Sequence, residues 1–164
     1  MNKIMIYPVI LLVISLQQTF SQTTAPLYNP NADAKAEIKA AVEKASAENK
    51  QVLLQIGGNW CPWCIKLNKF FTTNPKADSI LQKSYIVVHV NYSKENMNLP
   101  LLKELDFPQR FGFPVLVILD RTGKRIHTQD TGLLESGDGY DANKVTGFLA
   151  NWTVEALDPS KYIK

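Results

Sequence analysis

Both cysteines of this chain lie within six residues, Asn59-Trp60-Cys61-Pro62-Trp63-Cys64. An apolar run from Gln51 to Ile56 and a Gly57-Gly58 break precede them, and Ile65 to Phe71 can be helical. A strand, a glycine turn and a C-x-x-C that opens a helix read as a thiol–disulfide site. Residues three apart on a helix sit roughly 5–6 Å from each other. A disulfide wants Cα atoms about 4.4–6.8 Å apart, so Cys61 and Cys64 can bridge and open with little backbone movement. Pro62 suits the first helical position, where no amide proton is needed, and it biases Cys61 away from helical angles, towards the N-cap.

A helix start stabilises an adjacent anion by about 0.3–1 kcal/mol, and by up to about 2 in partly buried geometry. One pKa unit is roughly 1.4 kcal/mol, so the dipole lowers a thiol pKa near 8.5 by at most about 1.5 units. Amide donors from Trp63 and Cys64, and Lys66, add to this. Cys61 is then the expected nucleophile, and Cys64, one turn deeper, resolves the mixed disulfide. The reading requires the first sulfur to be reachable from solvent. Two other readings of the pair stand beside it. A structural bridge is a poor staple, because closing so short a loop removes little chain entropy. Structural zinc wants four ligands, and the chain offers two cysteines with His89 and His127. No metal and no cofactor are expected.

The rest of the 164 residues reads as one domain. Met1 to Ser21 has the pattern of a cleaved signal peptide: Lys3, an apolar core from Ile4 to Leu16, and small residues in Thr19-Phe20-Ser21. The run is shorter than a membrane span and contains Pro8, so no stable insertion is expected after cleavage. Export leads to an oxidising compartment, periplasmic or extracellular. Residues 22–32 read as an extended, polar lead-in, 33–158 as the domain and 159–164 as a tail. A net charge of +3 with scattered lysines argues against nucleic acid.

Within the domain, Ile38, Ala41, Val42 and Ala45 recur at helical spacing. Gln51 to Ile56 and Tyr85 to Val90 are apolar runs separated by helical material, which predicts parallel pairing and a central place for both. A helix over about Asn98 to Asp106 follows, then a hairpin of Val115 to Leu119 with Ile126 to Thr131 around Asp120-Arg121-Thr122-Gly123. A loop from Gly132 to Gly139 leads to a last helix, about Asp141 to Ala156, with Val145, Phe148, Leu149 and Trp152 on one face. Asn91-Tyr92-Ser93 and Asn151-Trp152-Thr153 are sequons, relevant only where the source glycosylates exported proteins.

Three features together resemble the thioredoxin superfamily, and within it the exported thioredoxin-like proteins with a W-C-x-x-C site. They are Trp60-Cys61-Pro62-Trp63-Cys64 after a buried strand, Phe113-Pro114 before Val115 to Leu119, and Gly139-Tyr140-Asp141 with Lys144, Phe148, Leu149 and Trp152. The resemblance covers roughly Asp33 to Trp152. It implies an α/β fold with a mostly parallel sheet, an antiparallel edge hairpin, helices on both faces, and a site at the carboxyl ends of the central strands. X-Pro bonds are cis only about 5–6% of the time, but the resemblance implies a cis Phe113-Pro114 bond beside the disulfide, with the backbone of Phe113 offered to a substrate chain. Phe113 is bulkier than the residue usual in thioredoxin itself. Trp60, Pro62, Trp63, Phe113 and Pro114 are then the substrate-facing residues; Trp60 matches the family's tryptophan beside the nucleophile, and Trp63 serves either client contact or packing. Gln55 departs from the family, which usually places there a buried aspartate that relays the proton of the second cysteine. Aligning Tyr85 to Asn91 with the family's next strand puts His89 beside Gln55, where it is a candidate for that relay; a core histidine is the alternative.

The expected function is thiol–disulfide exchange with exported protein substrates, with a membrane or soluble redox partner to recycle the pair. Poise follows the stabilisation of the reduced thiolate, and Pro62-Trp63 contributes no charge, so the chain leans to reductant or isomerase. A thiol oxidase, or a non-catalytic client-binding or assembly module on the same fold, are the alternatives.

Overall fold

The structure, a computed structural model, describes residues 26–163. The expected signal peptide and residues 22–25 of the lead-in lie outside the described residues. Helix α1 (Ala34–Glu48) opens where the Asp33 carboxylate accepts the Ala36 N–H, and it stops where Asn49 takes a left-handed φ of 53°, a region that Asn enters more readily than most residues. Strand β1 (Gln51–Gly57) is buried along its whole length. Asn74 then serves two helices. It ends α2 (Pro62–Thr73), and its side-chain oxygen accepts the Lys76 and Ala77 amides at the start of α3 (Pro75–Ser84), with Pro75 in the first turn. Next come β2 (Tyr85–Asn91), α4 (Leu99–Glu104), β3 (Val115–Leu119) and β4 (Arg125–Asp130). A two-residue-strand hairpin, β5 (Glu135–Ser136) and β6 (Gly139–Tyr140), leads to α5 (Ala142–Asn151).

The main sheet has the order β2-β1-β3-β4. Strand β1 pairs parallel with β2, setting Gln55 opposite His89, and antiparallel with β3, setting Ile56 opposite Val115; β3 and β4 form the expected antiparallel edge hairpin. Two expectations change. The central strands are β1 and β3, and β2 lies at an edge. Burial explains the ranking: every residue of β3 is buried, whereas Ile86, Val87 and His89 of β2 are only half-buried. The sheet is also mixed, with one parallel pairing and two antiparallel ones, where a mostly parallel sheet was expected. Helix α4 has six residues, about 9 Å of rise, against roughly 23 Å for the seven residues of β1. The connection from β2 therefore ends on the side of the sheet where β1 ends, and β3 starts opposite Ile56 and runs back antiparallel.

Alternation along the strands feeds two cores. Val52, Leu54, Ile56, Val115 and Val117 face α1 and α4, while Leu53, Leu116 and Ile118 face Leu67 and Phe71 of α2, Leu81 of α3 and Leu149 of α5. Fully burying one such side chain stabilises the fold by about 1.5–3 kcal/mol. The expected loop at Gly132 to Gly139 is instead the end of a short 3-10 turn (Thr131–Leu134) followed by the β5–β6 hairpin. Helix α5 stops at Asn151, short of the expected Ala156, where the Thr153 hydroxyl accepts the Ala156 N–H and closes a competing local turn. Asn91 is buried, and its amide donates to Ser93 Oγ and Asn96 O, so the first sequon is committed inside the fold. Among the described residues no helix is long and apolar enough to cross a membrane.

Candidate active site

Cys61 and Cys64 are joined in a disulfide with Cα atoms 5.3 Å apart. Cys61 is the N-cap of α2, with extended angles (φ −98°, ψ 105°), and Pro62 occupies the first turn as its fixed φ favours. The Cys61 Sγ accepts the Cys64 N–H at 3.2 Å. That bond and the helix start both favour negative charge on this sulfur. Lys66 does not join them: its ammonium donates to Asp138 O at 2.7 Å and lies 4.4 Å over the Trp63 ring. Its charge therefore acts on the sulfur only through space and not by a direct hydrogen bond.

Cys61 keeps 3% of its surface and Cys64 none. Both cysteines are buried in the bridged form, so the expected solvent access to the first sulfur is not seen in this state. Tyr28 packs against the pair, with Leu27, Trp63 and Phe113 around it. On the outer side Trp60 is 56% exposed. Its Nε1 donates to Tyr92 O at 2.6 Å, and its ring meets Phe113 edge-on at 5.6 Å. Gly58 makes room for this indole, because a Cβ there would fall 2.3 Å from Trp60 Nε1. The Phe113-Pro114 bond is cis, Pro114 is buried, and its carbonyl accepts the Thr131 hydroxyl. No group among the described residues accepts the Phe113 N–H. Trp63 is half-buried and edge-on to Tyr140 at 5.5 Å, so it packs on one side and stays partly open on the other.

Behind the bridge lies a polar niche. Gln55 is fully buried, and its Nε2 donates both to the Tyr28 hydroxyl at 2.8 Å and to Cys64 O at 3.0 Å. Gln55 Oε1 and His89 Nε2 are buried without a hydrogen-bond partner among the described residues. Burial holds the His89 imidazole below its ordinary pKa, so it is neutral at pH 7. His89 stands opposite Gln55 as expected, but no hydrogen bond among the described residues joins it to Gln55, Tyr28 or Cys64. Tyr28 packs edge-on against it at 5.7 Å.

Tyr28 is the residue that sequence reasoning missed. Residues 22–32 were expected to be an extended lead-in, yet Tyr28 is completely buried. Asn59 holds it with two reciprocal bonds: Tyr28 N–H donates to Asn59 Oδ1 at 3.0 Å, and Asn59 Nδ2 donates to Tyr28 O at 2.7 Å. The available signal was the adjacent pair Leu27-Tyr28, two large apolar side chains in an otherwise polar stretch. Gly57 completes the niche, since a Cβ there would lie 2.4 Å from Cys64 Sγ and 3.1 Å from the Tyr28 hydroxyl oxygen. Among the described residues no three His, Cys, Asp or Glu side chains come together to hold a metal, and His127 stacks on Trp152 at 4.1 Å.

Comparison with known proteins adds further findings. A family model described as thioredoxin-like matches residues 33–121, just over half of the chain. The structure is similar to that of a disulphide isomerase from Xylella fastidiosa Temecula1, at 28% identity, covering 76% of this chain and 94% of that one with a TM-score of 0.67. It is also similar to a DsbH oxidoreductase, at 25% identity, covering 82% and 90% with a TM-score of 0.50. The oxidised C-terminal domain of Neisseria meningitidis DsbD shares the fold, at 20% identity, covering 71% and 94% with a TM-score of 0.51. No curated protein matches the sequence.

Proposed function

The chain belongs to the thioredoxin-like family and is a protein-disulfide oxidoreductase, and on that premise we propose that Cys61 and Cys64 are its redox pair, that it works on exported proteins, and that it runs as a reductant or isomerase. The observation that carries the pairing is the difference between the two sulfurs: Cys61 sits at the N-cap of α2 and its Sγ accepts the Cys64 N–H, while Cys64 lies inside the first turn and is fully buried.

In the reductive direction the Cys61 thiolate attacks one sulfur of a client disulfide, forming a mixed disulfide and expelling a client thiolate that takes up a proton. Cys64 then loses its proton and attacks Cys61 Sγ, which releases the second client thiol and leaves Cys61 and Cys64 bridged. Two electrons have passed to the client. A membrane or soluble electron donor restores the dithiol. Trp60, Pro62 and the Phe113-Pro114 segment offer the surface around the first sulfur, and the unengaged Phe113 N–H suits a bond to an extended client backbone. Trp63 contributes by packing the helix start against Tyr140. The proposed relay role of His89 draws support from its position opposite Gln55.

The lean towards reduction rests on thiolate stabilisation. A strong oxidant owes its poise to a reduced form stabilised by charge and donors. Here the intervening Pro62-Trp63 dipeptide is uncharged. A Cys64→Ser variant exposed to an extract of exported proteins should accumulate client adducts that reductant releases, and Cys61→Ser should accumulate none. Wild-type protein should reduce insulin. Adducts without turnover would leave only a client-binding module, and a reduction potential at the oxidising end of the known range would make the chain an oxidase.

A further inference from the structure

The Gln55 amide can be oriented in only one way. The Cys64 carbonyl is an acceptor with no proton to give, so the group 3.0 Å from it must be the NH2 of Gln55. The same NH2 is 2.8 Å from the Tyr28 oxygen, so the hydroxyl accepts there and its own proton is left over. No group among the described residues accepts that proton, although the ring is wholly buried. Buried hydroxyls without an acceptor are uncommon. The hydroxyl and Cys64 Sγ face the same small space, the one that a side chain on Gly57 would fill. In the bridged form the sulfur is tied to Cys61; once reduced, it regains rotation about its Cα–Cβ bond and becomes an acceptor on the far side of that space.

We infer that Tyr28 is the hydrogen-bond donor to the Cys64 thiolate during the resolving step, doing by donation what a proton-accepting side chain at position 55 would do by relay. The inference rests on the proposed Cys61/Cys64 chemistry and adds a residue to it. Cys64–SH gives its proton to a base, either the proposed His89 relay or solvent, the Tyr28 O–H keeps its proton and donates a hydrogen bond to the sulfur anion, and the anion attacks Cys61 Sγ. Tyr28 is not a base at any step. Burial pushes its hydroxyl well above the ordinary tyrosine range, so it stays protonated. The Asn59 clamp on both backbone groups of Tyr28 holds the ring in place.

The test separates the two cysteines in time. Reduced protein mixed with an aryl disulfide whose released thiolate is coloured gives two phases: attack by Cys61, then resolution by Cys64. For Tyr28→Phe the first phase should stay within about twofold, while the second slows about tenfold at neutral pH and its pH profile moves towards alkali. A tenfold change matches the strength expected of a charge-assisted bond. A ring-fluorinated tyrosine at position 28, nearly isosteric and a stronger donor, should move the second-phase profile towards acid. An unmoved second phase in both variants, or equal slowing of both phases, overturns the assignment. Absence of both phases in the wild-type protein would instead refute the redox pair itself.

Discussion

The two sulfurs stand one helical turn apart in opposite surroundings. Around Cys61 the chain supplies aromatic side chains that face outward or lean on one another: Trp60, Phe113 and Tyr92. Around Cys64 it supplies a polar niche of buried Tyr28 and Gln55, half-buried His89 and the bare Cα of Gly57. Aromatic contacts of this kind add about 0.5–1.5 kcal/mol each beyond area burial and tolerate a change of partner. A buried polar network is sensitive to every atom, because an unpaired group there costs about 1–3 kcal/mol. The outer side is thus suited to varied clients and the inner side to one fixed chemistry.

Gly57→Ala should break this contrast most strongly. The added methyl would overlap Cys64 Sγ, and the bridged sulfur cannot turn aside, whereas the reduced one can. The oxidised form should lose about 1–3 kcal/mol more than the reduced form, raising the reduction potential by roughly 20–65 mV, read by equilibration with glutathione. Trp60→Ala sharpens the outer half of the comparison. With more than half of the indole exposed, KM for protein clients should rise about fivefold, or about 1 kcal/mol, while the rate with a small aryl disulfide holds.

The smallest expected effect is at His89. Its folded-state pKa lies below the unfolded value of 6.5, so the unfolded chain binds more protons and stability falls as pH drops below about 6.5. The slope is at most about 1.4 kcal/mol per pH unit. His89→Gln should flatten this part of the curve of urea midpoint against pH. If His89 also relays a proton for Cys64, the same substitution will move the pH profile of the resolving step; an unmoved profile ends that role.

Much of the fold was legible because local patterns and burial agree. Cys61 sits where a helix start was expected, and Val115 to Leu119 is a strand because its apolar run is continuous. The strand order was misread because Tyr85 to Val90 is nearly as apolar as β3, and composition does not tell an edge from a centre when a helix covers one face. The niche was half legible. The resemblance placed His89 beside Gln55, and the parallel register sets them opposite each other. Tyr28 was not, since its contact with Gln55 spans 27 residues and belongs to no periodic element.

The Asn59 clamp also bears on where the molecule can be trimmed. The stretch that the thioredoxin-like family model matches, 33–121, leaves out the tyrosine that Asn59 grips. A fragment begun at that boundary would carry both cysteines with a ring-sized hole beside them, and Gln55 would lose one of its two bonds. Protein prepared for redox work should therefore begin upstream of Leu27, with any affinity tag set off by a spacer.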